Sequence, residues 1–103
     1  MNQVILVGRL VYEPELKQSQ SGTTYLNTRI AVSRNDKDKT TDFINVHIYS
    51  KTAEFVSKYF RKGSMCIVSG RLQMRRYEAK DGTNRTAYEI VADSVYFGES
   101  KKD

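Results

Sequence analysis

Tryptophan is absent from this chain, and cysteine, proline and histidine occur once each, as Cys66, Pro14 and His47. One cysteine excludes a disulfide framework and a zinc cluster, and it fits a reducing, intracellular setting; on a strand, it reads as a small buried hydrophobe. His47 has no second histidine or cysteine with which to build a metal site, so no metal is expected. No apolar run approaches the ~20 residues of a membrane helix. The opening MNQVILVGRL has only Val4–Val7 as an apolar stretch, with no basic region before it, so a signal peptide is not expected either. Walker loops, nucleophile elbows and zinc-deaminase signatures are missing. No strand-borne carboxylate pair is positioned to hold two metals. The expectation is a binding protein rather than an enzyme, with no catalytic residues and no cofactor.

What is present is a modest basic excess. Seventeen Lys and Arg against twelve Asp and Glu give +5. Charge of this size serves solubility, or a polyanionic partner if the cations are placed to meet one. A chain of 103 residues is one domain, assigned here to 1–98 with a short flexible tail at 99–103.

Periodicity divides the domain. Val4–Val11 reads as a strand, Glu13–Thr23 as a polar loop, Tyr25–Ser33 as an alternating strand and Arg34–Thr41 as a loop without apolar residues. A strand over 42–50 follows, then helical spacing over Ser50–Lys62, with Ala53, Val56 and Phe60 on one stripe. Ser50 is the expected N-cap, Arg61 and Lys62 suit the C-terminal dipole, and Gly63 is the stop. Met65–Tyr77 and Arg85–Phe97 are strands joined by AKDGTN, a hairpin turn centred on Asp81 and Gly82. The order β-β-β-α-β-β, with Gly8 and Gly70 inside long strands where a sheet can bend, describes an all-β OB-fold. It is a five-stranded Greek-key barrel with one helix between the third and fourth strands. The alternative is a small open sheet with one helix.

The segment DFINVHIYS puts Ile44, Val46 and Ile48 on one face, and Phe43, Asn45, His47 and Tyr49 on the other. Two rings on a polar face are either covered or kept there to touch something. On the fourth strand Arg71, Gln73, Arg75 and Tyr77 share one parity, opposite Leu72 and Met74. Rings interleaved with cations suit unpaired bases, whose π-faces are open, and stacking does not depend on base identity. The duller reading of Phe43 and Tyr49 is burial at a subunit interface; that of Tyr77 is packing on Thr86 across the hairpin. Arg75 and Arg76 alternate, so only one of them lines a groove. In RNDKDK, Arg34 is the candidate for a phosphate contact.

NQVILVGRLVYEPELK, TAEFVSKYFRKGS and SGRLQMRRYEAKDG together resemble the bacterial single-stranded DNA-binding protein family, over about residues 2–97. The resemblance implies an OB-fold subunit of a homotetramer that wraps single-stranded DNA in replication, recombination, repair or DNA uptake. Its setting would be the bacterial cytoplasm, on the nucleoid. By motif position, the family's stacking aromatics fall on Phe43, Tyr49 and Tyr77, and its backbone-contacting cations on Lys51, Lys62, Arg75, Arg76 and Arg85. NQVILVGRL is apolar on both parities, a hazard as a bare edge, and self-pairing of that strand in a dimer would remove the edge. Two departures stand out: RNDKDK lacks the aromatic often found after the second strand, and ESKKD is not the family's long linker and acidic tip. With these departures the chain resembles a short paralogue of the competence-associated type, a phage-borne version or a shortened piece of a longer protein, and tail-dependent protein partners are not expected. An RNA-binding OB module and a primosome accessory protein are the rival readings.

Overall fold

In a computed structural model describing residues 1–99, six strands and one helix follow in the order β1 Val4–Leu10, β2 Lys17–Gln18, β3 Thr24–Ser33, β4 Thr41–Tyr49, α1 Ser50–Tyr59, β5 Met65–Glu78 and β6 Asn84–Phe97. Of the expected tail, all but Glu99 lies outside the described residues. Among the described residues no helix is long and apolar enough to cross a membrane.

The five long strands close on themselves as an OB-fold barrel. Around the ring β1 pairs with β5, β5 with β6, β6 in parallel with β4, β4 with β3, and β3 returns to β1 through Arg9–Ala31 and Leu10–Ile30. The helix sits between the third and fourth of these strands. Alternation decides what lines the interior: Leu26 and Ile30 from β3, Val46 and Ile48 from β4, Val68 from β5 and Ile90 from β6 are all buried.

The two internal glycines make the closure possible. A Cβ on Gly8 would stand 2.6 Å from the carbonyl oxygen of Ala31, where β1 leaves β5 for β3. A Cβ on Gly70 would collide with the Val91 carbonyl. There the register shifts, with Ser69 opposite Ser94 but Gly70 opposite Ala92, so Asp93 is the extra residue of a bulge. Beyond it β4 still flanks β6 as far as Glu89, and past that point β5 and β6 run on as a two-stranded arm, turned by Gly82 at φ +84°. The Gly82 N–H donates to the Ala79 carbonyl, and the Ala79 N–H to that of Thr83, at 2.9 Å each.

Three expectations need correction. The loop Glu13–Thr23 contains a strand: β2 turns back on β3, pairing Lys17 with Tyr25 and Gln18 with Thr24. Two polar residues leave no apolar period, so only backbone pairing reveals it. Ser50 does not cap the helix. Tyr49 occupies the N-cap position without a side-chain hydrogen bond, while Ser50 takes a left-handed φ of +56° as the chain swings from β4 into α1. The helix also ends three residues early, at Tyr59, leaving Lys58 as the basic residue of its last turn. Phe60 becomes extended, and its fully buried ring stacks on Phe97 with centroids 4.6 Å apart. Gly63, at φ +89°, stops the following turn instead, its N–H donating to the Leu10 carbonyl. Cys66 is buried as expected, and burial pushes its thiol up to about 11.

Candidate nucleic-acid interface

Once Val46 and Ile48 enter the core, Phe43, Asn45, His47 and Tyr49 must face outward, and Phe43 and Tyr49 remain 61% and 47% exposed. Register then aligns residues across four strands. Arg29 of β3 lies opposite Asn45 of β4, Asn45 opposite Glu89 of β6, and Glu89 opposite Gln73 of β5. The next row is Asn27, His47, Val91 and Arg71. Two adjoining hollows of about 210 and 520 Å³ open over these rows, sharing Asn27, His47, Arg75 and Glu89 in their walls. Tyr25 and Tyr49 border the larger hollow, and Tyr12 the smaller.

A carboxylate organises the floor. Glu89 is only 3% exposed. His47 Nε2 lies 2.7 Å from Glu89 Oε2, and Gln73 Nε2 donates to Oε1 at 3.3 Å. Arg75 Nε is 3.6 Å from Oε2. Burial raises the Glu89 carboxyl, but the His47 hydrogen bond, the charges of His47 and Arg75 and the Gln73 hydrogen bond outweigh it and hold it below its ordinary value. Beside it Arg29 Nε donates to Asn45 Oδ1 at 3.0 Å, and Asn27 Oδ1 meets His47 Nδ1 at 2.6 Å. The result is a polar floor in which Asn27, Arg29, Asn45, His47 and Glu89 each have a partner, bordered by tyrosine rings, while the buried Thr28 hydroxyl in the wall of the smaller hollow has none among the described residues. Among the described residues no group of three or more His, Cys, Asp or Glu is placed to hold a metal ion.

Of the residues expected at a site, Asn45, Tyr49 and Arg75 line the hollows, and Phe43 stands farther along β4, opposite Ala31. Tyr77 and Arg85 face each other near the tip of the arm, next to the turn, so Tyr77 opposes Arg85 rather than Thr86, which pairs with Arg76. The Arg75 guanidinium lies 5.5 Å from the Tyr77 ring centroid. Arg85 also reaches Asp81 at 3.3 Å. Lys51 opens α1 beside a shallow cleft lined by Phe55 and Tyr96. Arg71 borders the floor row opposite Val91. Three expected cations stand apart. Alternation sends Arg76 to the face of Leu72 and Met74. Lys62 lies past the far end of α1, its backbone N–H donating to Glu13. Arg34 is forked onto Asp42 with two contacts of 2.9 Å, so a phosphate must compete with that carboxylate.

Asn27, Arg29 and Glu89 belong to this surface and do not emerge from the sequence reading. The alternation of β3 does place Asn27 and Arg29 outward, yet nothing local shows that β4 and β6 bring partners to them. Glu89 is a carboxylate set in the apolar run Ala87–Ala92, which is a signal in itself: such a group needs donors.

The single-strand binding protein family model matches residues 1–98. A protein of Fusobacterium nucleatum named single-stranded DNA-binding protein is 50% identical, covering 98% of this chain and 69% of its own length. Single-stranded DNA-binding protein 1 of Staphylococcus aureus is 45% identical over 98% of this chain and 67% of its own. Single-stranded DNA-binding protein 2 of Clostridium acetobutylicum is 45% identical over 100% of this chain and 80% of its own.

Proposed function

The chain belongs to the single-strand binding protein family, and from that membership we propose that it binds single-stranded DNA without sequence preference. The observation that carries the reading is the pair of exposed rings, Phe43 and Tyr49, on a strand whose other face is fully committed to the core. A ring open to solvent beside a polar cleft offers a stacking platform to any unpaired base. In this reading Arg71 and Arg75 on β5, Lys51 at the start of α1 and Arg85 on the arm meet the phosphates, and Tyr77 extends the platform along the arm. Arg34, Lys62 and Arg76 serve strand segments that run beyond the cleft. The protein acts as a coat for exposed single strands in replication, recombination, repair or uptake, in the cytoplasm, and performs no chemistry on them.

Assembly is part of the proposal. Along Val4–Val7 no strand pairs with β1 on the side away from β5 among the described residues, and Ile5 and Val7 face outward, both at least half exposed. A second copy of β1 would satisfy the open backbone groups, and the exposed Leu72, Met74 and Tyr88 of the arm give dimers a second apolar surface. We assign a homotetramer on this basis.

Titrating oligo-dT into the Phe43→Ala/Tyr49→Ala protein tests the stacking. Each lost stack removes about 1–3 kcal/mol while folding, assembly and salt dependence stay near the parent's. Parent-like affinity in a folded, tetrameric variant overturns the stacking role. Normal binding by a smaller oligomer would instead make the two rings interface residues. A matched RNA oligomer serves as competitor, and preference for it would favour an RNA-binding module.

A further inference from the structure

The only histidine of the chain stands at the centre of the cleft floor with both ring nitrogens engaged. On one side is Asn27 Oδ1 at 2.6 Å, on the other Glu89 Oε2 at 2.7 Å, and the imidazole is about four-fifths buried. Both neighbours are acceptors as oriented, so satisfying them takes an N–H on each nitrogen, which is the imidazolium. Turning the Asn27 amide over presents its NH₂ to Nδ1 instead. That arrangement suits the neutral ring, with Nε2–H still donating to Glu89. One amide rotation therefore separates the two protonation states, and the rest of the floor stays in place.

The charges facing this ring come from three strands. Glu89 on β6 touches it, Arg75 on β5 shares the same Glu89 oxygen at 3.6 Å, Arg71 on β5 stands in the same row as His47, and Arg29 on β3 lines the smaller hollow. The other titratable groups in these walls are the phenols of Tyr12, Tyr25 and Tyr49. Arg75 offsets Glu89, so the proton on His47 is what changes the net charge of the floor. We propose that His47 is a proton-linked binding residue: when a single strand occupies the cleft its ring takes up a proton, and affinity falls as pH rises. The inference rests on the single-strand reading. Its reason is reciprocity: a polyanion above the floor favours the imidazolium, so the imidazolium must favour the polyanion.

Histidine is the side chain that ordinarily changes charge between about pH 5 and 8, and Cys66, pushed up to about 11, stays out of that range. The amino terminus is common to parent and variants, so any effect of it cancels between them. The test is oligo-dT titration of the full chain from about pH 5.5 to about 8 at fixed ionic strength. The parent should lose affinity several-fold across the range, with a slope of log affinity against pH between zero and about −1, the value for one whole proton. His47→Gln should flatten the profile. Glu89→Gln, which removes the anion that favours the imidazolium, should move the fall to lower pH. A flat parent profile with tight binding overturns the linkage and leaves the single-strand reading intact; a His47→Gln protein with the parent's slope also overturns it. Failure of the parent to bind oligo-dT at any pH removes both.

Discussion

Lys51 and Arg75 are both proposed phosphate contacts, but their surroundings differ. Lys51 is exposed at the start of α1, whereas Arg75 is drawn to the buried Glu89 and lies over the Tyr77 ring. Lys51→Ala should therefore lower the log–log salt slope of oligo-dT binding by about 0.7, the value for one phosphate contact on a single strand. Arg75→Ala should cost more affinity than Lys51→Ala, because it also strips Glu89 of a counter-charge. Salt titrations of the two variants distinguish these outcomes. Glu89 has its own signature in stability. Its carboxyl is held below the ordinary 4.5, so the folded state binds its proton more weakly than the unfolded chain does. That stability is fully present above 4.5 and is lost as pH falls through the lower folded value. Urea melts below about pH 4.5 should show a steeper loss for the parent than for Glu89→Gln. The sequence made Phe43, Asn45 and Tyr49 legible through simple alternation. It could not show Glu89 as their neighbour, because Asn45, Glu89 and Gln73 meet only through the register of three strands.

At the scale of elements, the junction between β4 and α1 carries backbone strain. Ser50 holds a left-handed φ between the ring of Tyr49 and the cation of Lys51, with the Thr24 hydroxyl donating to its carbonyl at 3.3 Å. A non-glycine residue there costs of order 1–3 kcal/mol. Ser50→Gly should raise stability by about 0.5–1 kcal/mol, since relief of strain exceeds the extra entropy of glycine in the unfolded chain. Gly70→Ala should do the opposite, by roughly 1–3 kcal/mol or more, because a methyl there meets the Val91 backbone rather than a movable side chain. Chemical denaturation of both variants is the measurement; a neutral Gly70→Ala would remove the steric account of the bulge. The helix shows why element bounds are hard to read. Its stripe, Ala53, Val56 and Phe60, was visible as a period, but the turn from helix to extended backbone at Phe60 answers to Phe97, distant in sequence.

For the whole molecule the decisive quantity is the number of chains. An open edge along Val4–Val7 beside exposed apolar side chains makes the isolated subunit a poor end state. Light scattering at micromolar concentration should give the mass of four chains of 11.9 kDa each. Val7→Lys, which puts a charge on the outward face of β1, should give smaller species that still bind oligo-dT, more weakly per strand. A parent that scatters as a monomer under these conditions refutes the assembly.

The sequence by itself determined which side chains face in and which face out, where the Asp81–Gly82 turn falls, and the order of elements that makes an OB-fold. These properties are local: side chains alternate by stereochemistry, and a left-handed turn residue favours glycine wherever it stands. Tertiary structure decided the lateral rows. Asn27 meeting His47, Glu89 drawing in Gln73 and Arg75, β2 returning to β3, and Phe60 leaving the helix for Phe97 all depend on which strands become neighbours and in what register. A charge within the apolar run Ala87–Ala92 announces only that partners are needed; barrel closure supplies them, because Glu89 buried without donors would be an uncompensated and strongly destabilising charge.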